Sequence, residues 1–161
     1  MDMGLFEGGA TFPEYLKQVG PEFRQRYEKT SLSEEAKVKV RTLGSMRKVV
    51  AFSEGYCPDC VAVLPFMERM REENQNISFT IKHKTGNEEA LVEAAGESRI
   101  PLLMSFGKDG EPLSVFLEFP EKLKDEMRRA AVEDKKDLVV KFREGAYNNM
   151  IEEALLDLLK I

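Results

Sequence analysis

Both cysteines of this chain lie in one stretch, Lys48-Val49-Val50-Ala51-Phe52-Ser53-Glu54-Gly55-Tyr56-Cys57-Pro58-Asp59-Cys60. Residues 48–53 are mostly apolar and rich in β-branched side chains, which is typical of a strand buried on both faces. After Cys60, apolar residues recur with helical spacing as far as about Asn74, where Asn-Gln-Asn predicts a helix end. The stretch therefore predicts a strand followed by a helix, with Cys57 at the helix N-terminus.

The predicted position of Cys57 favours a reactive thiol. Unpaired backbone N–H groups and the positive end of the helix dipole stabilise a thiolate there, and Pro58 suits the first turn because its missing N–H is no loss. Exposed Cys-X-X-Cys thiols in such positions have pKa values of roughly 3.5 to 7. Cys60 lies one turn further in, where it is expected to be shielded and protonated. We expect Cys57 to attack a disulfide and Cys60 to resolve the mixed disulfide.

Asp59 lies between the two cysteines and bears on the direction of the reaction. A carboxylate beside a thiol opposes thiolate formation and raises the pKa of the thiol. Since a stable thiolate in the reduced form makes a strong oxidant, Asp59 predicts a reductant or a mild exchanger. Alternatively, Asp59 is a first-turn acid that complements the helix dipole.

The cysteine pair has two other interpretations. A structural disulfide would close a very small loop, where the entropic gain is least, and reducing compartments seldom keep one. A zinc site needs four ligands, but the chain has one Cys-X-X-Cys pair and one histidine, His83. Carboxylates or a second chain would have to complete it. His83 itself ends an apparent strand over residues 77–83, where a surface or edge position is expected.

The composition indicates one globular domain. The chain has 161 residues, 42% hydrophobic and 33% charged, with a net charge of −5. No apolar run approaches the roughly 20 residues of a membrane span, and the N-terminus lacks the features of a secretory signal. The acidic balance, without a block of Lys and Arg, argues against nucleic acid as a partner. We expect a cytoplasmic protein without a membrane partner.

Three regions are predicted within residues 1–161. Residues 1–44 form a helical extension, with a capping box at Thr11-Phe12-Pro13-Glu14 and a break at Gly20-Pro21. Residues 45–119 read as βαβαββ, ending in a hairpin around Asp109-Gly110. Residues 120–161 are helical, and an apolar stripe from Tyr147 to Leu159 predicts packing on the sheet, or alternatively a dimer face.

Two sequence motifs carry a family likeness. Tyr56-Cys57-Pro58-Asp59-Cys60 follows a strand and opens a helix, and Ser98-Arg99-Ile100-Pro101 leads into the strand at residues 102–106. This combination resembles the thioredoxin superfamily, and in detail a bacterial branch with an N-terminal helical extension. The resemblance implies an α/β fold with a central mixed sheet flanked by helices, extended at both ends by further helices.

The resemblance also implies roles for individual residues. Cys57 would be the nucleophile, Cys60 the resolving thiol, and Pro101 a cis-proline packed against the pair. Ile100 would offer backbone hydrogen bonds to an extended substrate, as in β-augmentation. The substrate-contacting residues would be Tyr56, Pro58, Asp59, Ile100 and Pro101. Alternatively, Pro101 is a trans proline that opens an edge strand.

The sequence departs from the family pattern at two positions. Tyr56 stands where a tryptophan is usual, and Ala51 stands where a buried acid usually accepts the proton of the resolving thiol. Glu54 is a candidate replacement for that acid and so a third catalytic residue. Alternatively, water takes the proton and Glu54 is an exposed loop carboxylate.

The sequence as a whole predicts a thiol-disulfide oxidoreductase that reduces or exchanges protein disulfides without a bound cofactor or metal. Its electrons would come from an upstream flavoprotein reductase or a low-molecular-weight thiol, and it would act as a monomer or weak dimer. Two alternatives remain: a non-catalytic binding or adaptor module with a vestigial Cys-X-X-Cys pair, and a metal-binding protein that uses both cysteines.

Overall fold

The computed structural model describes residues 3–161 and contains a four-stranded sheet with helices on its faces. The first two residues of the predicted extension lie outside the described residues. The strands are β1 (Arg47–Ser53), β2 (Ile77–His83), β3 (Leu102–Phe106) and β4 (Pro112–Leu117). Their order is β2-β1-β3-β4; β1 pairs in parallel with β2, and the other pairings are antiparallel. The sheet is mixed, as predicted.

Within residues 3–161, eight α-helices lie around the sheet. They are α1 (Phe12–Leu16), α2 (Glu22–Lys29), α3 (Glu34–Arg41), α4 (Pro58–Glu73), α5 (Glu88–Ala95), α6 (Glu121–Arg129), α7 (Val132–Glu144) and α8 (Asn148–Leu158), preceded by a short 3-10 turn at Met3–Phe6. No helix within residues 3–161 is long and apolar enough to cross a membrane.

The central strand β1 is buried as its sequence predicts. Every residue from Val49 to Ser53 is buried, because β2 and β3 flank the strand and helices cover both faces of the sheet. Continuous burial explains why the strand is apolar throughout instead of alternating. Helix α4 follows β1: it begins at Pro58, contains Pro65 and ends at Glu73, close to the predicted end at about Asn74.

The N-terminal extension pairs with the outer edge of β2 at one point. Ala10 and Ile81 exchange two backbone hydrogen bonds of 2.9 and 2.7 Å, which satisfy the backbone groups of Ile81 at this edge. The capping box is present: Thr11 accepts from the backbone of Glu14, and the Glu14 carboxylate accepts from the Thr11 backbone. The predicted break at Gly20-Pro21 separates α1 from α2.

The C-terminal helices pack as predicted, and one strand boundary is corrected. Apolar side chains of α8, including Ile151 and Leu155, are buried in the core. The predicted last strand extends to Phe119, but β4 ends at Leu117. The strand stops because Glu118 adopts a left-handed backbone conformation, with φ of +67°.

Candidate active site

Cys57 caps the N-terminus of α4. Its backbone is extended while Pro58 begins the helix, and its Sγ accepts a hydrogen bond of 3.1 Å from the backbone N–H of Cys60. A side-chain acceptor at this position satisfies one of the unpaired donors of the first helical turn. The sulfur therefore occupies the place predicted for the nucleophile.

The surroundings of Cys57 favour its thiolate. The Cys60 thiol and backbone N–H donate hydrogen bonds to the sulfur, and these lower its pKa, while burial and the Asp59 carboxylate oppose the change without reversing it. The residue is only 7% exposed, so the expectation of an openly exposed thiol is wrong. Its accessible edge opens onto a surface groove lined by Glu22, Arg26, Gly55, Tyr56, Pro58, Val61 and Arg143.

Cys60 has the opposite environment. It is fully buried, and burial raises the pKa of its thiol well above the ordinary value of 9.0, an effect that the Cys57 sulfur reinforces. The Ser53 hydroxyl and the Glu54 backbone N–H donate to this sulfur and act in the other direction. The Ser53 hydroxyl in turn accepts a 2.9 Å hydrogen bond from the Tyr15 hydroxyl. Neither Ser53 nor Tyr15 is predicted from the sequence as a residue of the site.

Ile100 and Pro101 lie against the dithiol. The peptide bond between them is cis, as the resemblance implies and not as the alternative of a trans proline requires. The Ile100 carbonyl oxygen is 4.0 Å from the Cys57 Sγ, which donates to it as a thiol. Both residues are buried. The role of Ile100 in holding a substrate stays a prediction.

Asp59 is buried in the first turn of α4, and its carboxylate is paired. Its carboxylate makes a two-point ion pair with Arg143 of α7, with Nε–Oδ1 and Nη2–Oδ2 distances of 2.8 and 3.3 Å. The sequence predicted a carboxylate that raises the pKa of the thiols, which it does for Cys57, or alternatively a first-turn acid that complements the helix dipole. Neither includes the arginine, which comes from a helix 84 residues further along the chain.

Glu54 is also buried, so the expectation of an exposed loop carboxylate is wrong. Its Oε1 accepts from the Thr85 backbone N–H at 3.0 Å and lies 3.4 Å from Nδ1 of His83. Burial raises the pKa of Glu54, but these hydrogen bonds and the histidine outweigh burial and lower it overall. His83 lies on the edge strand β2, where its position was predicted. The role of Glu54 as a proton acceptor stays a prediction.

The remaining predicted residues lie around the pair. Tyr56 is 76% exposed and Pro58 is exposed, and both border the groove at Cys57. Ala51 is buried in the core, so no carboxylate lies at the usual acid position. Among residues 3–161, no group of three or more His, Cys, Asp and Glu side chains is arranged to hold a metal ion.

Comparison with known families identifies the fold. Residues 9–136 match the model of a family described as thioredoxin. The chain belongs to the thioredoxin family. Two solved structures support the same fold over nearly the whole chain. A protein of unknown function, PA1234 from Pseudomonas aeruginosa, is 19% identical with a TM-score of 0.79, and the match covers 99% of this chain and 97% of that one.

An HIV epitope scaffold is similar to the same extent: it is 19% identical with a TM-score of 0.80, and the match covers 99% of this chain and 97% of the scaffold. A search of curated protein sequences finds no match. Both matches extend over the helices at the two ends of the chain as well as the sheet, so this thioredoxin-family protein shares those added helices with both structures.

Proposed function

We propose that this thioredoxin-family protein is a thiol-disulfide oxidoreductase that reduces or exchanges disulfides of protein substrates. The Cys57 thiolate attacks one sulfur of the substrate disulfide, and the other substrate sulfur leaves as a thiolate that takes up a proton. Cys60 then loses its proton and attacks the Cys57 sulfur of the mixed disulfide. The second substrate thiol is released, two electrons have passed to the substrate, and the protein holds a Cys57–Cys60 disulfide.

One observation carries this proposal: the two sulfurs, three residues apart, have opposite environments. Cys57 has a lowered pKa and opens onto a groove, whereas Cys60 is fully buried with a raised pKa. A mechanism with one attacking and one waiting thiol needs this division, since only the thiolate is nucleophilic. Both sulfurs are thiols in the structure.

The proposal includes a direction and partners. Burial and Asp59 both oppose the Cys57 thiolate, which favours a reductant or a mild exchanger over a strong oxidant. The protein substrate would lie in the groove between Tyr56 and Pro58 and meet the backbone of Ile100. The dithiol would be restored by an upstream reductase or by a low-molecular-weight thiol, in the reducing cytoplasm, without a bound organic cofactor.

Reduction of insulin driven by dithiothreitol tests the proposal. The wild-type protein should accelerate the reaction, and Cys57→Ser should abolish the acceleration. Cys60→Ser should lose turnover and instead accumulate a mixed disulfide between Cys57 and the substrate, visible by mass spectrometry. Cys57→Ser is the matched control for this trapping experiment, because without the attacking sulfur no mixed disulfide with the substrate should form.

Two results would contradict the proposal. A wild-type rate in Cys57→Ser would show that the dithiol does not carry the reaction. The second result has two parts: the wild-type protein never exceeds the rate with dithiothreitol alone, and the Cys60→Ser variant traps no substrate. Together they would favour the non-catalytic binding module instead.

A further inference from the structure

The ion pair between Asp59 and Arg143 joins the cysteine motif to the C-terminal helices. Asp59 is 7% exposed, and both of its carboxylate oxygens face the Arg143 guanidinium. Arg143 lies in the last turn of α7, and its backbone carbonyl accepts a 2.6 Å hydrogen bond from Nη1 of Arg26 in α2. The arginine is therefore anchored at its backbone by one helix and bound at its side chain to another.

The same arginine borders the groove at the reactive sulfur. Arg143 lines the groove onto which Cys57 opens, and the negative charge of Asp59 and, more weakly, that of an ionised Cys57 raise the pKa of Arg143. A carboxylate this close to a thiolate repels it, and a buried carboxylate is costly unless it is paired. A planar guanidinium in a two-point contact meets both requirements at once.

We propose that Arg143 is a positioning residue of the dithiol: by holding and neutralising the Asp59 carboxylate, it allows the Cys57 thiolate to form beside that carboxylate. The inference rests on the proposed function, because it explains how the attacking thiol is prepared. Arg143 lies in α7, which belongs to the predicted C-terminal region and not to the βαβαββ core, so a helix outside the core helps to prepare the attacking thiol.

Other charged and titratable groups face the dithiol or the Asp59–Arg143 pair, and they remain unchanged in the test. They are Tyr15 of α1, Glu22 and Arg26 of α2, Cys60 of α4, and Glu118, which follows β4 and pairs with Arg99. Glu118 also interacts with Asp59 and Arg143. Because these groups are common to all variants, differences among the variants report the Asp59–Arg143 pair.

The pH dependence of Cys57 alkylation by iodoacetamide tests the inference, with mass spectrometry locating the adduct. Arg143→Gln should raise the pKa of Cys57 by roughly one unit, as expected for the loss of a nearby opposite charge, and slow alkylation about tenfold at a pH below both pKa values. The double variant Asp59→Asn with Arg143→Gln should return the pKa to within roughly half a unit of wild type, because the repelling carboxylate is gone.

The conservative variant supplies a second comparison. Arg143→Lys keeps the charge but not the two-point geometry, so its alkylation rate should lie between those of wild type and Arg143→Gln. If Arg143→Gln does not fold, as judged by circular dichroism, Arg143→Lys with and without Asp59→Asn makes the same comparison. Arg128→Gln is the matched control: Arg128 pairs with Asp125 on the surface of α6, and its loss should leave Cys57 unchanged.

Two results would overturn the inference: a Cys57 pKa that Arg143→Gln does not move, or a double variant as slow as Arg143→Gln alone. The latter would mean that the arginine acts on the sulfur without the carboxylate. Neither of these alkylation measurements depends on a protein substrate. A wild-type protein inactive on insulin would therefore count against the proposed function and not against the role of Arg143.

Discussion

The two sides of the dithiol differ in what lies behind each sulfur. On the Cys57 side, a groove opens and a charged pair, Asp59 with Arg143, lies next to the sulfur. On the Cys60 side there is no opening: the sulfur is fully buried, and the Ser53 hydroxyl, backed by Tyr15, faces it. One helical turn thus holds two identical side chains whose pKa values are shifted in opposite directions.

The difference shows that the extensions complete the site. Tyr15 belongs to α1 in the N-terminal extension, and Arg143 belongs to α7 near the C-terminus. Each reaches its cysteine through one intermediate residue of the core, Ser53 on one side and Asp59 on the other. The sheet and α4 place the two sulfurs, and each extension adds one contact to a neighbour of a sulfur: Tyr15 bonds to Ser53, and Arg143 bonds to Asp59.

The largest expected effect is on thiol reactivity. With Cys60→Ala, iodoacetamide should still alkylate Cys57 in the native protein. With Cys57→Ala, native Cys60 should react at least about a hundredfold more slowly, because its thiol is buried and its raised pKa leaves little thiolate. In denaturant the two variants should react alike, which serves as the control. Equal native rates would remove the difference between the two sides.

A smaller effect is expected from Ser53→Ala. Loss of the hydroxyl that donates to Cys60 should raise the pKa of Cys60 further and lengthen the lifetime of the mixed disulfide several-fold, measured by quenched-flow trapping. It also leaves the Tyr15 hydroxyl without its acceptor, at a cost of roughly 1–3 kcal/mol in unfolding free energy.

Ser105→Ala is the matched control for Ser53→Ala. Ser105 is fully buried in β3 and donates to the Leu158 carbonyl, away from the cysteines. It should lower stability without changing the lifetime of the mixed disulfide. Equal lifetimes in the two serine variants would show that Ser53 has no part in the resolving step.

The smallest effect concerns Glu54 and acid stability. Because its folded-state pKa lies below the ordinary value of 4.5, ionised Glu54 stabilises the fold above that pH, and this contribution is lost as the pH falls through the folded-state pKa. Glu54→Gln should therefore be less stable than wild type at neutral pH by about 1 kcal/mol, and the difference should shrink in acid. Urea unfolding at both pH values measures this, with the exposed Glu89→Gln as control.

The same variant tests the catalytic prediction for Glu54. If Glu54 accepts the proton of Cys60, the pH–rate profile of insulin reduction should change in Glu54→Gln. An unchanged profile together with the predicted loss of stability would leave Glu54 a structural residue, bound to Thr85 and His83. A stability difference that persists unchanged in acid would contradict the lowered pKa.

Local sequence patterns predict the helices and strands that hold this site, but not the long-range contacts between them. The strand at residues 48–53, the helix starting after Cys57 and the capping box at Thr11 each depend on residues a few positions apart, so they are visible in the sequence. Arg143 is 84 residues from Asp59, and Tyr15 is 38 residues from Ser53. No local pattern marks either residue, because their roles depend on how α1 and α7 pack.

The alternative of an exposed Glu54 carboxylate is wrong for a similar reason. An acidic residue in a loop between a strand and a helix is usually solvated. Here, however, the segment after β2 brings the Thr85 backbone N–H onto the carboxylate, and His83 lies beside it. These partners make its burial tolerable. The sequence shows the acid but not the donor that is paired with it.

The pKa of Cys57 in the wild-type protein tests the central claim most directly. It is obtained from the rate of alkylation as a function of pH, with Cys60→Ala used to assign the reacting sulfur. We predict a value below the ordinary 9.0 of a cysteine thiol, and hence faster alkylation at neutral pH than the same thiol would show with an unshifted pKa. A value at or above 9.0 would contradict it.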